Sequence, residues 1–326
     1  MHRIRFAIPV VPLRCDDVCM ETSTHASAST TTFRAAGRAT GAKLPDALRL
    51  GATRLVVTDL ERSTAFYQDV LGLTRLADSA EGIARFGGAA DIAILELAEL
   101  PGARRAGRHA GLYHVALLFP TREELARVVE RIAATRTRID GASDHGTHEA
   151  IYLPDPDGNG IELAADRPRD TWPDLSNIEE IRPRPLDMHA LLATVAGEGD
   201  VPARAADGVT VGHLHLHVGD IPEATAFYVD VVGFEAITSI PVAGFVSAGG
   251  YHHHLAFNTW KGEGVPPAPA DAVGLAFWTA HVPTTVDLEE LHERLTAAGA
   301  DAERTPDGSV VLRDPWRNEL RVSLGS

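Results

Sequence analysis

An α+β fold made of four repeated units in two tandem halves is what this 326-residue sequence predicts. Three observations carry that prediction. DLERSTAFYQDVLGL (59–73) and DIPEATAFYVDVVGF (220–234) match without a gap at Asp, Ala-Phe-Tyr, Asp-Val and Gly, 161 residues apart. Two further pairs repeat at nearly the same offset: GLYHVAL (111–117) with GLAFWTA (274–280), and YLPDPDGNGIEL (152–163) with VLRDPWRNELRV (311–322). Within each half, β-prone apolar runs alternate with short amphipathic runs in the order strand, helix, several strands, and that order occurs twice. The units are numbered 1 to 4 along the chain.

Residues 1–46 read as a disordered tail, because HASASTTTF and AAGRATGAK are small, polar and aperiodic and cannot bury enough surface to offset the entropy of ordering. HRIR followed by FAIPVVPL has the outline of a secretory signal, but the apolar run is short, holds prolines and meets Asp16 and Asp17. Met1 and Met20 both remain open as the start. The first half spans 47–166. RLVVTDL is a strand, ERSTAFYQDVLG a helix that Gly72 stops, and IARFGG and AILELAEL are strands. GLYHVALLFP opens unit 2, and TREELARVVERIAAT is an amphipathic helix with Thr121 as N-cap.

DHGTHEAIYLPDPDGNGIEL (144–163) closes the half as a hairpin arm: EAIYL is β-prone, DPDGNG is dense turn chemistry, and IEL resumes the apolar run. Glu162 alternates with Ile161 and Leu163 and projects to the face opposite both. A carboxylate there either meets water on an edge strand or requires a partner. His145 and Tyr152, two more groups able to bind or move protons, lie on the same arm. Residues 167–209 are rich in proline and charge and read as a surface linker with one helix in LDMHALLATVAG; the second half spans 210–326.

Composition narrows the function classes. The net charge of −15, with no basic run, argues against nucleic acid or an anionic membrane surface as partner. No stretch approaches the ~18 apolar residues of a spanning helix. Cys15 and Cys19 both fall in the tail, so the folded part has neither disulfide nor thiolate ligand, which fits a reducing cytoplasm. With 15 histidines available, a metal site here is built from nitrogen and oxygen.

The AFYxD helices and the DPDGNGIEL arm, four units in all, resemble the vicinal oxygen chelate superfamily, and within it the type I extradiol dioxygenases of the catechol 2,3-dioxygenase type. The resemblance implies four βαβββ units in two tandem domains, with curved mixed sheets cupping a metal, and ligands on the first and last strands of each unit. On those positions unit 1 has Ala52 and unit 4 has Phe277 and Arg321, none of which is expected to ligate. Units 2 and 3 offer His114, Glu162 and His213, two imidazoles and one carboxylate, a set that suits Fe(II), with Mn(II) also accommodated. The site would therefore join units from different halves, the reverse of the family's usual order.

YHHHLAF (251–257) resembles the extradiol segment bearing the acid/base histidine, which aligns with His253, while His252 and His254 stay open if the register shifts by one. His145 and Tyr152 match the family's second histidine and tyrosine, expected to hydrogen-bond substrate oxygens. Phe257, Trp260 and Trp278 are candidates for pocket walls or for plain core. The implied activity is cleavage of a catechol-type diol by O2 to a muconic semialdehyde. The implied partners are an aromatic diol and O2, with self-association left open. The alternatives are a glyoxalase-like lyase or isomerase, which would want a second carboxylate ligand, and a metal-free protein that sequesters an aromatic compound.

Overall fold

The computed structural model describes residues 43–88, 92–177 and 179–325. Unit 1 contains β1 (Arg49–Val57), α1 (Leu60–Ala65) running into a π-helical turn (Phe66–Val70), β2 (Thr74–Ala80), β3 (Ile83–Gly87) and β4 (Ala93–Glu99). A short strand β5 (Arg104–Arg105) precedes unit 2, which contains β6 (Gly111–Leu118), α2 (Arg122–Ala134), β7 (Gly141–Asp144), β8 (His148–Pro154) and β9 (Gly160–Asp166). The connection carries β10 (Arg184–Pro185) and α3 (Met188–Ala193). Unit 3 contains β11 (Thr210–His217), α4 (Ile221–Thr225) with its π-helical continuation (Ala226–Val232), β12 (Glu235–Ile240), β13 (Ala243–Ser247) and β14 (Leu255–Asn258). Unit 4 contains β15 (Ala272–Val282), α5 (Thr285–Ala297), β16 (Ala302–Arg304), β17 (Val310–Arg313) and β18 (Glu319–Leu324).

The strands form two nine-stranded mixed sheets, and each draws one unit from each half. One runs β16-β17-β18-β15-β1-β4-β3-β2, with β5 on β15, and joins units 1 and 4. The other runs β10-β7-β8-β9-β6-β11-β14-β13-β12 and joins units 2 and 3 across the antiparallel pair β6 and β11. The sheet that carries Glu162 is therefore shared between halves, and β9 lies inside it, hydrogen-bonded to β8 and β6. The edge-strand reading of Glu162 is overturned, because the carboxylate has polar partners that make its burial tolerable.

The repeated residues have repeated jobs. Asp59 and Asp220 are helix N-caps, accepting from the amides of Arg62 and Glu223. The buried tyrosine of each AFY run reaches an aspartate in the turn of the neighbouring unit: Tyr67 Oη donates to Asp155 at 3.2 Å and Tyr228 Oη to Asp314 at 2.9 Å. Each aspartate also accepts two backbone amides of its own turn, from Asp157 and Asn159 in one case and Trp316 and Asn318 in the other. These buried, charge-assisted bonds tie unit 1 to unit 2 and unit 3 to unit 4, and so fasten the two sheets together. Thr121 caps α2 through the Glu124 amide, and Gly72 and Gly233 end their helices at φ of 79° and 100°.

The expected tail lies outside the described residues as far as position 42. Within 43–46, Leu44 is buried and its amide donates to the Gly233 carbonyl at 2.8 Å. In the connection, the helix expected in LDMHALLATVAG spans Met188–Ala193, with Asp187 as its N-cap.

Candidate functional site

Strand alternation sorts β6 and β9 into two faces. Val115, Leu117, Ile161 and Leu163 join the core with Leu125 and Val128 of α2, which leaves His114, Ala116 and Glu162 on the other face. Ala116 stands opposite Glu162 on one side and opposite His213 of β11 on the other, so one cross-strand row reads Glu162, Ala116, His213. The small Ala116 side chain leaves room above the row, and His114 leans in from two residues earlier in β6. His213 Nε2 lies 3.1 Å from Glu162 Oε2, and His114 Nε2 lies 3.0 Å from the same oxygen. All three are buried, at 2%, 5% and 1% exposure for His213, His114 and Glu162.

Among the described residues neither ring nitrogen of His114 makes an aligned hydrogen bond, and its close polar contact is the approach of Nε2 to Glu162. A buried imidazole without a partner is costly unless something completes it. The ligating atoms of His114, Glu162 and His213 lie within 4.8 Å of one another, and two imidazoles with one carboxylate fit a divalent transition metal. Burial alone would push Glu162 upward, but His213 and His114 hold it well below the usual carboxylate range. His213 in turn is lowered by burial against the upward pull of Glu162.

The other sequence-selected residues converge on this centre. Tyr152 stands opposite Glu162 in the β8–β9 register, its ring 5.7 Å from His114, and its hydroxyl is 2.7 Å from His145 Nε2. Burial and the neighbouring His148 push His145 down to about 3. His253 packs on the His213 ring with centroids 4.1 Å apart. The histidine run precedes β14 as an irregular segment, and its members part company. His254 turns to Ser247 Oγ at 2.9 Å, while nitrogens of His252 and His253 lie within 4.8 Å of that of His213.

Several residues in the cluster were not selected from the sequence. His148 Nε2 is 3.1 Å from Glu162 Oε1, and its ring stacks on His145 at 4.5 Å and on His252 at 4.7 Å. His215 and His217 share the face of His213, and Asn258 of β14 joins them through bonds of 2.8 Å to each ring. Asp166 reaches His252, and with His148 these make a third grouping of ligating atoms. The signal was present for the strand residues: HLHLH in β11 and His148, Ala150, Tyr152 in β8 alternate with period two.

Of the three aromatics offered as pocket walls, Trp260 alone borders the site, half exposed at 52% and 5.2 Å from the His215 ring. Phe257 faces the other side of β14, where it stacks on Tyr228 at 5.7 Å, and Trp278 is fully buried in the other sheet, so both are core. On that other sheet the Arg321 guanidinium lies over Phe277 at 3.6 Å and is held by Glu319. Among the described residues no group of three ligating side chains forms there.

Comparison with known proteins agrees with this architecture. The model of the Glyoxalase/Bleomycin resistance protein/Dioxygenase superfamily matches residues 49–163 and 210–322. A catechol-2,3-dioxygenase of Bacillus subtilis is 39% identical over 271 residues, covering 82% of this chain and 93% of that protein. A lactoylglutathione lyase of Neisseria meningitidis is 33% identical over 123 residues, covering 36% of this chain and 89% of the lyase. Among solved structures, a Bacillus subtilis putative dioxygenase superposes with a TM-score of 0.62 at 12% identity, covering 87% of this chain and 86% of that one. Glyoxalase I of Zea mays gives 0.52 at 16% identity, covering 85% and 92%. At these identities the two structures speak to the fold alone.

Proposed function

Because the chain belongs to the Glyoxalase/Bleomycin resistance protein/Dioxygenase superfamily, and within it to the catechol 2,3-dioxygenase type, we propose that it cleaves a catechol-type aromatic diol with O2 in an Fe(II)-dependent extradiol reaction. The observation that carries this reading is the convergence of His114, Glu162 and His213, with no aligned hydrogen bond to His114 among the described residues. The donor set suits Fe(II) and accommodates Mn(II). A metal held there supplies a place where the diol and O2 meet in fixed geometry, and a path for electrons between them.

The chain's own residues have the following roles in this reading. His114, His213 and Glu162 hold the metal. The Tyr152 hydroxyl and His145, bonded to each other before substrate enters, exchange that bond for donation to the substrate's oxygens and steady the anion that forms when a hydroxyl is deprotonated. Burial favours the neutral form of His253, and in this reading its ring takes a proton from the substrate hydroxyl and returns it to the oxygen entering the ring. One ring carbon–carbon bond beside a hydroxyl-bearing carbon breaks and both atoms of O2 enter a muconic semialdehyde, so no outside reductant is required. Trp260 forms part of the rim.

No described helix is long and apolar enough to cross a membrane, and this reading places the protein in the cytoplasm with a diffusing diol. A lyase of the glyoxalase kind is less well supported, since the ligand grouping holds a single carboxylate. The test is anaerobic loading with Fe(II), measurement of bound iron, and O2 uptake with a panel of catechols. About one iron per chain and a yellow product are expected. Iron-loaded protein inert to the whole panel refutes the proposal, and turnover of a glutathione hemithioacetal instead would select the lyase.

A further inference from the structure

We propose that Asp166 decides, through His252, which ring nitrogen of His253 carries hydrogen. Asp166 ends β9, four residues beyond Glu162 on the same face. Its Oδ1 lies 3.1 Å from His252 Nε2 and its Oδ2 lies 2.9 Å from the Tyr251 hydroxyl. His252 Nδ1 in turn lies 2.9 Å from His253 Nδ1. The chain thus crosses from the first half of the sequence, at Asp166, to the second.

The hydrogen positions follow from what each group can do. Burial draws Asp166 upward while His148 and the Tyr251 hydroxyl draw it down; as a carboxylate it accepts only, so His252 carries its hydrogen on Nε2 and donates it to Asp166. His252 is 4% exposed, stacked on His148 and tilted against Tyr251 at 4.0 Å, with Trp172 edge-on at 5.2 Å. In the neutral ring a hydrogen on Nε2 leaves Nδ1 bare. Two nitrogens 2.9 Å apart share one hydrogen, and with His252 Nδ1 bare the donor is His253 Nδ1. His253 Nε2 is left with a free lone pair, the form a base requires. Asp166 is accordingly a positioning residue, as the carboxylate of a catalytic triad is for its histidine. Its effect on turnover rests on the reading of His253 given above.

The experiment labels the histidines with nitrogen-15 in the full-length, Zn(II)-loaded protein and reads the tautomers from two-bond proton–nitrogen correlations, with His253→Gln identifying the resonance. Hydrogen on Nδ1 of His253 is expected in the wild type, and a mixture of tautomers in Asp166→Asn, whose amide offers His252 a donor as readily as an acceptor. In the iron-loaded enzyme Asp166→Asn should lower kcat by about 10²-fold with KM and iron content within about twofold, and Asp166→Glu should recover part of the loss. Tyr251→Phe removes the other hydrogen bond to Asp166 without touching the tautomer, and should keep kcat within about threefold. Hydrogen on Nε2 of His253 in the wild type, an unchanged tautomer in Asp166→Asn, or an equal loss in Tyr251→Phe overturns the proposal. A tautomer that changes as expected while kcat does not upholds the control by Asp166 and refutes His253 as the base.

Discussion

Gly160, the first residue of β9, offers a sharp test of how the metal centre is assembled. A Cβ added there would lie 1.9 Å from the Tyr113 carbonyl oxygen, 3.0 Å from its carbon and 3.2 Å from His114 Cβ. The obstacle is backbone, which cannot swing aside as a side chain does. To reach even 3.0 Å, β9 must draw back from β6 by 3.0 − 1.9 = 1.1 Å at this point. The adjoining interstrand hydrogen bonds, about two of them, are then stretched beyond useful length, and each buried group left unpaired costs about 1–3 kcal/mol. Gly160→Ala should therefore destabilise the fold by about 2–5 kcal/mol. Because the displaced strands carry Glu162 and His114, now 3.0 Å apart, metal affinity should fall at least about tenfold, which is about 1.4 kcal/mol. Gly158→Ala is the control: its φ of +92° makes alanine strained, at about 1–2 kcal/mol, but the nearest atoms belong to the movable Arg105 side chain. Urea unfolding and equilibrium dialysis against Mn(II) measure the two effects. A Gly160→Ala protein with wild-type midpoint and wild-type Mn(II) binding would refute the close approach of β6 and β9.

Three further outcomes are expected. His213→Ala in the second half should release iron as completely as His114→Ala or Glu162→Ala in the first, as read by metal analysis, since two remaining ligands do not fix a labile divalent ion; full iron in His213→Ala would disprove a centre shared between halves. His253→Gln should keep its iron and lose kcat by about 10²-fold, whereas loss of metal would move His253 among the ligands. His217 and His254 are pushed down to about 4, mainly by burial, so the folded protein takes up their protons less readily than the unfolded chain, at about 6.5. Their contribution is complete above pH 6.5 and is lost as pH falls toward 4, about 3 kcal/mol each. Chelator-treated His217→Asn/His254→Gln protein should lose stability less steeply over that window, and an unchanged slope in urea titrations would contradict the assignment.

The architecture was legible because duplication writes the same instructions twice: Asp59 and Asp220 both cap, and Tyr67 and Tyr228 both reach a turn aspartate. The candidate ligands His114, Glu162 and His213, whose ligating atoms converge, were legible as positions within repeated strands. Side-chain facing was less so. Phe257 lies on the face opposite Asn258, a parity fixed only once β14 is registered on β11. The contact of Asp166 with His252 spans 86 residues and depends on where an irregular segment settles, for which no periodicity exists.

Drawing each sheet from both halves has a consequence for synthesis. As the chain emerges, β6 and its partner β9 are made long before β11, so His114 and Glu162 wait with an unpaired strand edge beside them. The facing histidine arrives about a hundred residues after His114, five seconds or more at typical rates of elongation. A nascent chain thus lacks the complete grouping of these three side chains, and their convergence reports that both halves have been made and have found each other.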